Sequence, residues 1–254
     1  MRILVTNDDG IEAPGIAALA ASVAGSDHEI IVAAPSIDAS GSSAAVGPRQ
    51  SGSRPVFTPV HLLQFEGLTS YSVDAFPALI VYEACRGAIG PPPEVVLSGI
   101  NLGRNVGGAV VHSGTVGAAL TASQLGRRAL AMSIRYHGPT IYFETAGELA
   151  ARLLPFLLSL RPASVLNCNV PNVALEELRG IRAARLSRTG PILPGAAEAA
   201  DDGRDLETDD VLSLQGFATI TPLLPASEDP DPSIAVALGT PLEAIASDLG
   251  CGHA

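Results

Sequence analysis

The stretch Ile3-Leu4-Val5-Thr6-Asn7-Asp8-Asp9-Gly10 constrains this chain more than any other. Apolar and β-branched residues run almost directly into two adjacent carboxylates and a glycine. An apolar strand followed by a charged turn is how an α/β protein delivers reactive groups to the carboxyl edge of its sheet. Residues 2–6 read as the strand. Pro14-Gly15 then opens a helix predicted over residues 14–24, with the proline where a missing N–H is harmless. Residues 29–34 (EIIVAA) read as a second strand, closed by Pro35. Strand, helix and strand in such quick succession make a βαβ unit, right-handed and with parallel strands. Near-continuous apolar strands of this kind are covered by helices on both faces.

The pattern continues along the chain. Residues 36–53 form a long Gly/Ser-rich loop, of the kind that is functional or mobile in a compact domain. Residues 56–65 and 69–74 alternate as a β-hairpin does. Helices are predicted over 77–89, from Ser113 to about Leu125, over 144–160 with a kink at Pro155, and over 241–249. Strands are predicted over 94–97, 129–134, 165–170, 181–186 and 217–221, with a short helix at 174–178. Residues 98–108 form a second Gly-rich loop. The acidic stretch 196–210 is poorly periodic and reads as an exposed loop or extension. The expectation is one α/β domain over residues 1–254. It is Rossmann-like and doubly wound, with a mostly parallel sheet and a β-hairpin excursion in the C-terminal third. Residues 188–225 are the β-rich extension, available for oligomerisation.

Charge narrows the function. The net charge is −11. A basic surface for a nucleic-acid duplex is therefore not expected. An acidic protein that handles phosphates needs a local positive feature, such as a metal or a helix N-terminus. Three widely spaced cysteines, Cys85, Cys168 and Cys251, form no CxxC pair and read as free thiols. No apolar run is long enough to span a bilayer, so no membrane partner is expected. No secretory signal is read at the start, and the cytoplasm is the expected location.

Three of the predicted strands end in loops rich in Gly, Ser, Asn or Asp, and a parallel sheet brings all three to one edge. Asp8, Asp9, Ser40 and Asn101 then offer only oxygen: two carboxylates, a hydroxyl and a carboxamide. Such a set suits a hard cation and not zinc. Asp-Asp-Gly and Ser-Gly are also ordinary turn sequences. Ser113-Gly114-Thr115 at a helix start can present backbone N–H groups and two hydroxyls to a phosphate, and Ser113 also suits a plain N-cap. There is no GK[ST], so this is not a P-loop. His112 is a candidate proton donor to a leaving group, and Arg104 a candidate counter-charge for an anionic substrate. Together these features point to metal-assisted phosphoester hydrolysis. Direct attack by Asp8 or Asp9 is the other route, although aspartyl-phosphate enzymes of the haloacid dehalogenase type use D-x-D and not adjacent acids.

At larger scale, VTNDDGIEAPGI, the AP…SG near residue 40, SGINLGRNVG, HSGTVGAA, NVP at 169–171 and ITPL at 220–223 resemble the SurE (survival protein E) nucleotidases. The resemblance covers most of the chain in order. It implies a Rossmann-like fold, one divalent cation (Mg²⁺ or Mn²⁺), and removal of phosphate from nucleoside 5′- or 3′-monophosphates or another small phosphomonoester. By position, Asp8, Asp9, Ser40 and Asn101 look like the metal ligands, with Asp8 and Asp9 also catalytic. Ser113, Gly114 and Thr115 look like the phosphate-side loop, and Asn105 lines the same site. A homodimer or homotetramer is implied. The chain departs from the family pattern at Gly108-Ala109, where acids are common, at Thr121 and at Ile37-Asp38-Ala39. These departures keep a second expectation in view: a non-catalytic nucleotide- or metal-binding protein on the same fold.

Overall fold

The computed structural model describes residues 1–25, 27–47, 54–188 and 206–226. The opening βαβ unit is present as read: β1 (Arg2–Thr6), α1 (Pro14–Ala24) and β2 (Glu29–Pro35), with β1 and β2 parallel. A short antiparallel hairpin follows, β3 (Phe57–Pro59) with β4 (Thr69–Val73). Then come α2 (Pro77–Cys85), β5 (Val95–Leu102), α3 (Gly114–Gln124), β6 (Arg128–Ile134), α4 (Phe143–Ser159) and β7 (Val165–Val170). The last described elements are β8 (Ile181–Ala183), the short helix α5 (Asp209–Leu214) and β9 (Ala218–Leu223).

The strands form one nine-stranded sheet in the order β3-β4-β2-β1-β5-β6-β7-β9-β8. From β1 the chain moves outward through β2 to β4. It then crosses back past β1 to β5 and continues outward through β6 and β7. The winding reverses between β1 and β5, and the crevice beyond the carboxyl ends of those two strands is where an open α/β sheet binds ligands. Strand residues alternate faces, so Ile3 and Val5 join the core under α1 and α4, while Leu4 joins the core under α2 and α3. The second core is rich in alanine (Ala84, Ala118, Ala119, Ala122, Ala129, Ala131), which lets α2 and α3 lie close on the sheet.

Several elements differ from the sequence reading. The strand expected over 94–97 runs on to Leu102, because Asn101 and Leu102 pair with Ser133 and Ile134 of β6 after an irregularity at Ser98. The helix expected to Ile89 stops at Cys85 and ends in turns through Gly87 and Gly90, both at positive φ. The hairpin expected in the C-terminal third falls largely on residues outside the described ones, and the described part of this excursion is β8, α5 and β9. β9 lies antiparallel to β7 and parallel to β8, and parallel neighbours cannot be joined by a tight turn. Most of the acidic stretch, and the helix expected over 241–249, lie outside the described residues. At the described end of that stretch Leu206 and Glu207 are exposed, but Asp209 and Asp210 are buried and begin α5. Cys85 and Cys168 are free and buried, as read; Cys251 lies outside the described residues.

Candidate functional site

The turn after β1 is set by its own residues. Asn7 donates from Nδ2 to the Gly10 carbonyl at 2.9 Å, and Gly10 takes φ 102°, a conformation that side chains disfavour. The turn thereby leaves the strand with Asp8 and Asp9 at the switch point. Asp8 is almost fully buried, at 2% exposure.

Two other loops close on this pair. The Asp8 carbonyl accepts from the Ala39 N–H at 2.7 Å, which draws the loop after β2 onto the turn. In that loop Asp38 Oδ1 accepts both the backbone N–H of Ser40, at 2.8 Å, and its hydroxyl, at 2.7 Å. The Ser40 hydroxyl therefore spends its proton on Asp38 and keeps its lone pairs. From the other side, Asp9 Oδ2 accepts from the Leu102 N–H at 3.4 Å, which places the end of β5 beside it. Asn101 donates from Nδ2 to the Gly103 carbonyl at 2.7 Å, and that bond orients its carboxamide.

The start of α3 completes the site. Ser113 caps the helix, its hydroxyl accepting from the Val116 N–H at 3.1 Å. Gly114 permits a contact that no other residue would: a Cβ there would stand 2.6 Å from Ser42 Oγ and 2.8 Å from Asp8 Oδ2. Gly117 is needed for the same reason one turn on, since its Cβ would meet the Ser43 carbonyl oxygen at 2.1 Å. Thr115 donates its hydroxyl to Asp8 Oδ1. The first N–H groups of a helix have no intrahelical partner, and the helix dipole adds partial positive charge there.

Burial pushes the Asp8 carboxyl above the usual carboxylate range, against hydrogen bonding from Thr115. Burial, and next the charge of Asp8, push Asp9 up to about 7. A buried Asp8 whose charge raises the proton affinity of its half-buried neighbour Asp9 makes a site with negative charge to neutralise. A divalent cation does so. The donors at hand are the hard oxygens of Asp8 and Asp9, the Ser40 hydroxyl and the Asn101 carboxamide oxygen, which suit Mg²⁺ or Mn²⁺. Among the described residues no group of three or more His, Cys, Asp or Glu side chains gathers as a metal site. The fit therefore rests on two acids completed by neutral oxygens.

The structure thus brings Asp8, Asp9, Ser40, Asn101, Ser113, Gly114 and Thr115 together at one crevice. Asn105 sits differently. It is buried, and its Nδ2 donates to Ser133 Oγ at 2.9 Å. Arg104 turns toward α5, donating to the Asp210 carbonyl at 3.2 Å and to Ser213 Oγ at 2.8 Å. His112 is exposed, and its carbonyl accepts from the Ser43 N–H at 3.2 Å. Sequence reading passed over Asn167 and Asn169, whose side chains reach the Asn105 backbone. Their signal was present: two asparagines at i and i+2 share one face of a strand that otherwise reads as buried.

Comparison with known proteins adds independent findings. A family model described as Survival protein SurE matches residues 3–191. A protein of Pseudomonas entomophila named 5′-nucleotidase SurE is 38% identical over 242 residues, covering 88% of this chain and 92% of its own. One of Xylella fastidiosa with the same name is 37% identical over 202 residues, covering 76% of this chain and 74% of its own. Among solved structures, the SurE protein from Aquifex aeolicus superposes with a TM-score of 0.75 at 26% identity, covering 96% of this chain and 100% of its own.

Proposed function

The chain belongs to the Survival protein SurE family, and on that premise we propose that it is a nucleotidase, a phosphomonoesterase that removes phosphate from nucleoside 5′- or 3′-monophosphates with the help of one divalent cation. The observation that carries this reading is the burial of Asp8 against the start of α3, with the half-buried Asp9 beside it, at the switch point of the sheet.

Asp8, Asp9, Ser40 and Asn101 would hold the cation. When bound, it supplies positive charge against the phosphoryl oxygens and makes water a usable nucleophile near neutral pH. The chain does the rest. Thr115 fixes the Asp8 carboxylate by committing one of its oxygens to the hydroxyl. The start of α3, with the partial positive charge of the helix dipole, would receive the phosphate. Ser113 accepts from Val116 and keeps its own proton to donate to a phosphoryl oxygen. Positioning and electrostatic stabilisation are the contributions that matter most in phosphoryl transfer, and the site is built from rigid strand ends and a helix start.

With Mn²⁺ or Mg²⁺ present, the purified protein is expected to release phosphate from nucleoside monophosphates, and Asp8→Asn is expected to remove most of that activity. No release with any divalent metal across a nucleotide panel would refute the reading. Tight nucleotide or metal binding by calorimetry, with no turnover over hours, would instead establish a binding protein on the same fold. That second reading draws on Arg104, which is tied to α5 and not offered to a substrate.

A further inference from the structure

Asn101 and Ser113 bound a segment that carries Gly103, Gly107 and Gly108 and belongs to no strand beyond Leu102. Left to itself, such a segment would sample many backbone states. Its centre is gripped by side chains from distant parts of the chain. The Asn105 N–H donates to Asn169 Oδ1 at 2.7 Å, and Asn169 Nδ2 donates back to the Asn105 carbonyl at 3.0 Å. One carboxamide thereby reproduces the donor and acceptor of a neighbouring strand. Asn167 Nδ2 donates to the same carbonyl at 2.8 Å. Two residues on, the Gly107 N–H donates to Asp209 Oδ2 at 3.0 Å. The other Asp209 oxygen accepts from the N–H groups of Ser187 and Asp210, each at 2.9 Å. Asn105, Asn167, Asn169 and Asp209 are all buried, where backbone polar groups demand partners.

We propose that Asn169 and Asp209 are positioning residues: acting through Asn105 and Gly107, they fix the segment that joins Asn101 to Ser113, and so set the spacing between the cation-holding side chains and the phosphate-facing start of α3. Neither side chain is placed at the reacting atoms. Each holds backbone that carries the groups which are. The effect on turnover rests on the phosphatase reading above; the effects on the segment and on metal affinity do not.

The test uses the full chain and two shape-conserving variants. Asn169→Asp keeps the acceptor for the Asn105 N–H and sets an oxygen against the Asn105 carbonyl. Asp209→Asn sets an amide NH₂ against a backbone N–H. Thr145→Val is the control: it removes a buried hydroxyl bond to the Val173 carbonyl (2.9 Å) on α4, at the opposite face of the sheet. Hydrogen exchange over residues 101–113, Mn²⁺ titration and steady-state kinetics with a nucleoside 5′-monophosphate are measured for each.

Both test variants are expected to speed exchange in 101–113 and to lower Mn²⁺ affinity and kcat by about 10- to 100-fold, with a smaller change in KM, as for residues that orient ligands from behind. Thr145→Val leaves all three readouts near wild type. Should Asn169→Asp fail to fold, Ser133→Ala removes only the partner of Asn105 Nδ2 and carries the same expectation in smaller measure. Variants that match Thr145→Val in Mn²⁺ affinity and in exchange over 101–113 would overturn the proposal. Absence of phosphate release from the wild-type chain would refute the phosphatase reading alone, since metal affinity and exchange still report on the segment.

Discussion

Asp8 and Asp9 are neighbours in sequence and differ in circumstance. Asp8 is locked by Thr115, whereas Asp9 has a long bond from the Leu102 N–H and a pKa pushed to about 7 by burial and by Asp8. On the proposed reading of Asp9 as a cation ligand, a cation and a proton would compete for it. Below about 7 the proton holds it, so the Mn²⁺ association constant is expected to rise roughly tenfold per pH unit up to that point and then to level off. Calorimetric titration across that range checks this, and a flat profile would contradict it. The same linkage acts on folding without metal. The folded state holds the Asp9 proton more tightly than the unfolded chain, so its contribution to stability is full below 3.8 and is lost as pH rises through about 7. At this scale the sequence told most about what is adjacent in the chain. Asp8, Asp9 and Gly10 stood out because strand, acids and glycine are consecutive. The Thr115 hydroxyl bond to Asp8 spans 107 positions, and no local pattern reports it.

Element by element, periodicity performed well where one helix face meets the core. In α4, Ala146, Leu149, Ala150, Leu153, Leu154 and Leu157 are buried at helical spacing, and that stripe outweighs the proline within it. Pro155 sits exposed inside the helix and cannot donate to the carbonyl one turn back. Pro155→Ala is therefore expected to raise stability by about 1–3 kcal/mol, which urea denaturation would detect. No gain would mean that the fold has fully absorbed the break. Reading was weakest where pairing across the sheet decides. Ser98-Gly99-Ile100-Asn101 looks like loop by composition and is strand because β6 lies alongside. Asp209 and Asp210 look solvated by composition. Asp209 is buried because the N–H groups of Gly107 and Ser187 need a partner, and Gly107 lies 102 residues away in the chain; Asp210 accepts from the Thr208 hydroxyl and the Val211 N–H.

Across the whole molecule, the sheet gathers the ends of β1, β2 and β5 at one crevice, and the start of α3 closes it. On the proposed reading, such a site would bind its cation only when folded. Mn²⁺ at about 100 times its dissociation constant is expected to stabilise the protein by about 2.7 kcal/mol. For a chain of this size that amounts to a rise in Tm of about 5–10 °C. Calorimetry with and without the ion checks it, and an unchanged Tm would argue against a cation at these carboxylates. The doubly wound plan was legible from the first βαβ unit. The order of the last strands was not, since β9 inserts between β7 and β8 and thus ahead of a strand made earlier. That insertion has a consequence for synthesis on the ribosome. When β8 emerges, its partner does not yet exist, and the Gly107 N–H still lacks the carboxylate of Asp209. The nascent chain can assemble β1 to β7 in order as it leaves the tunnel. Translation must pass Asp209 and β9 before the crevice loops acquire their final grip, so a polypeptide cut short before that point would carry every candidate ligand and lack the frame that aligns them.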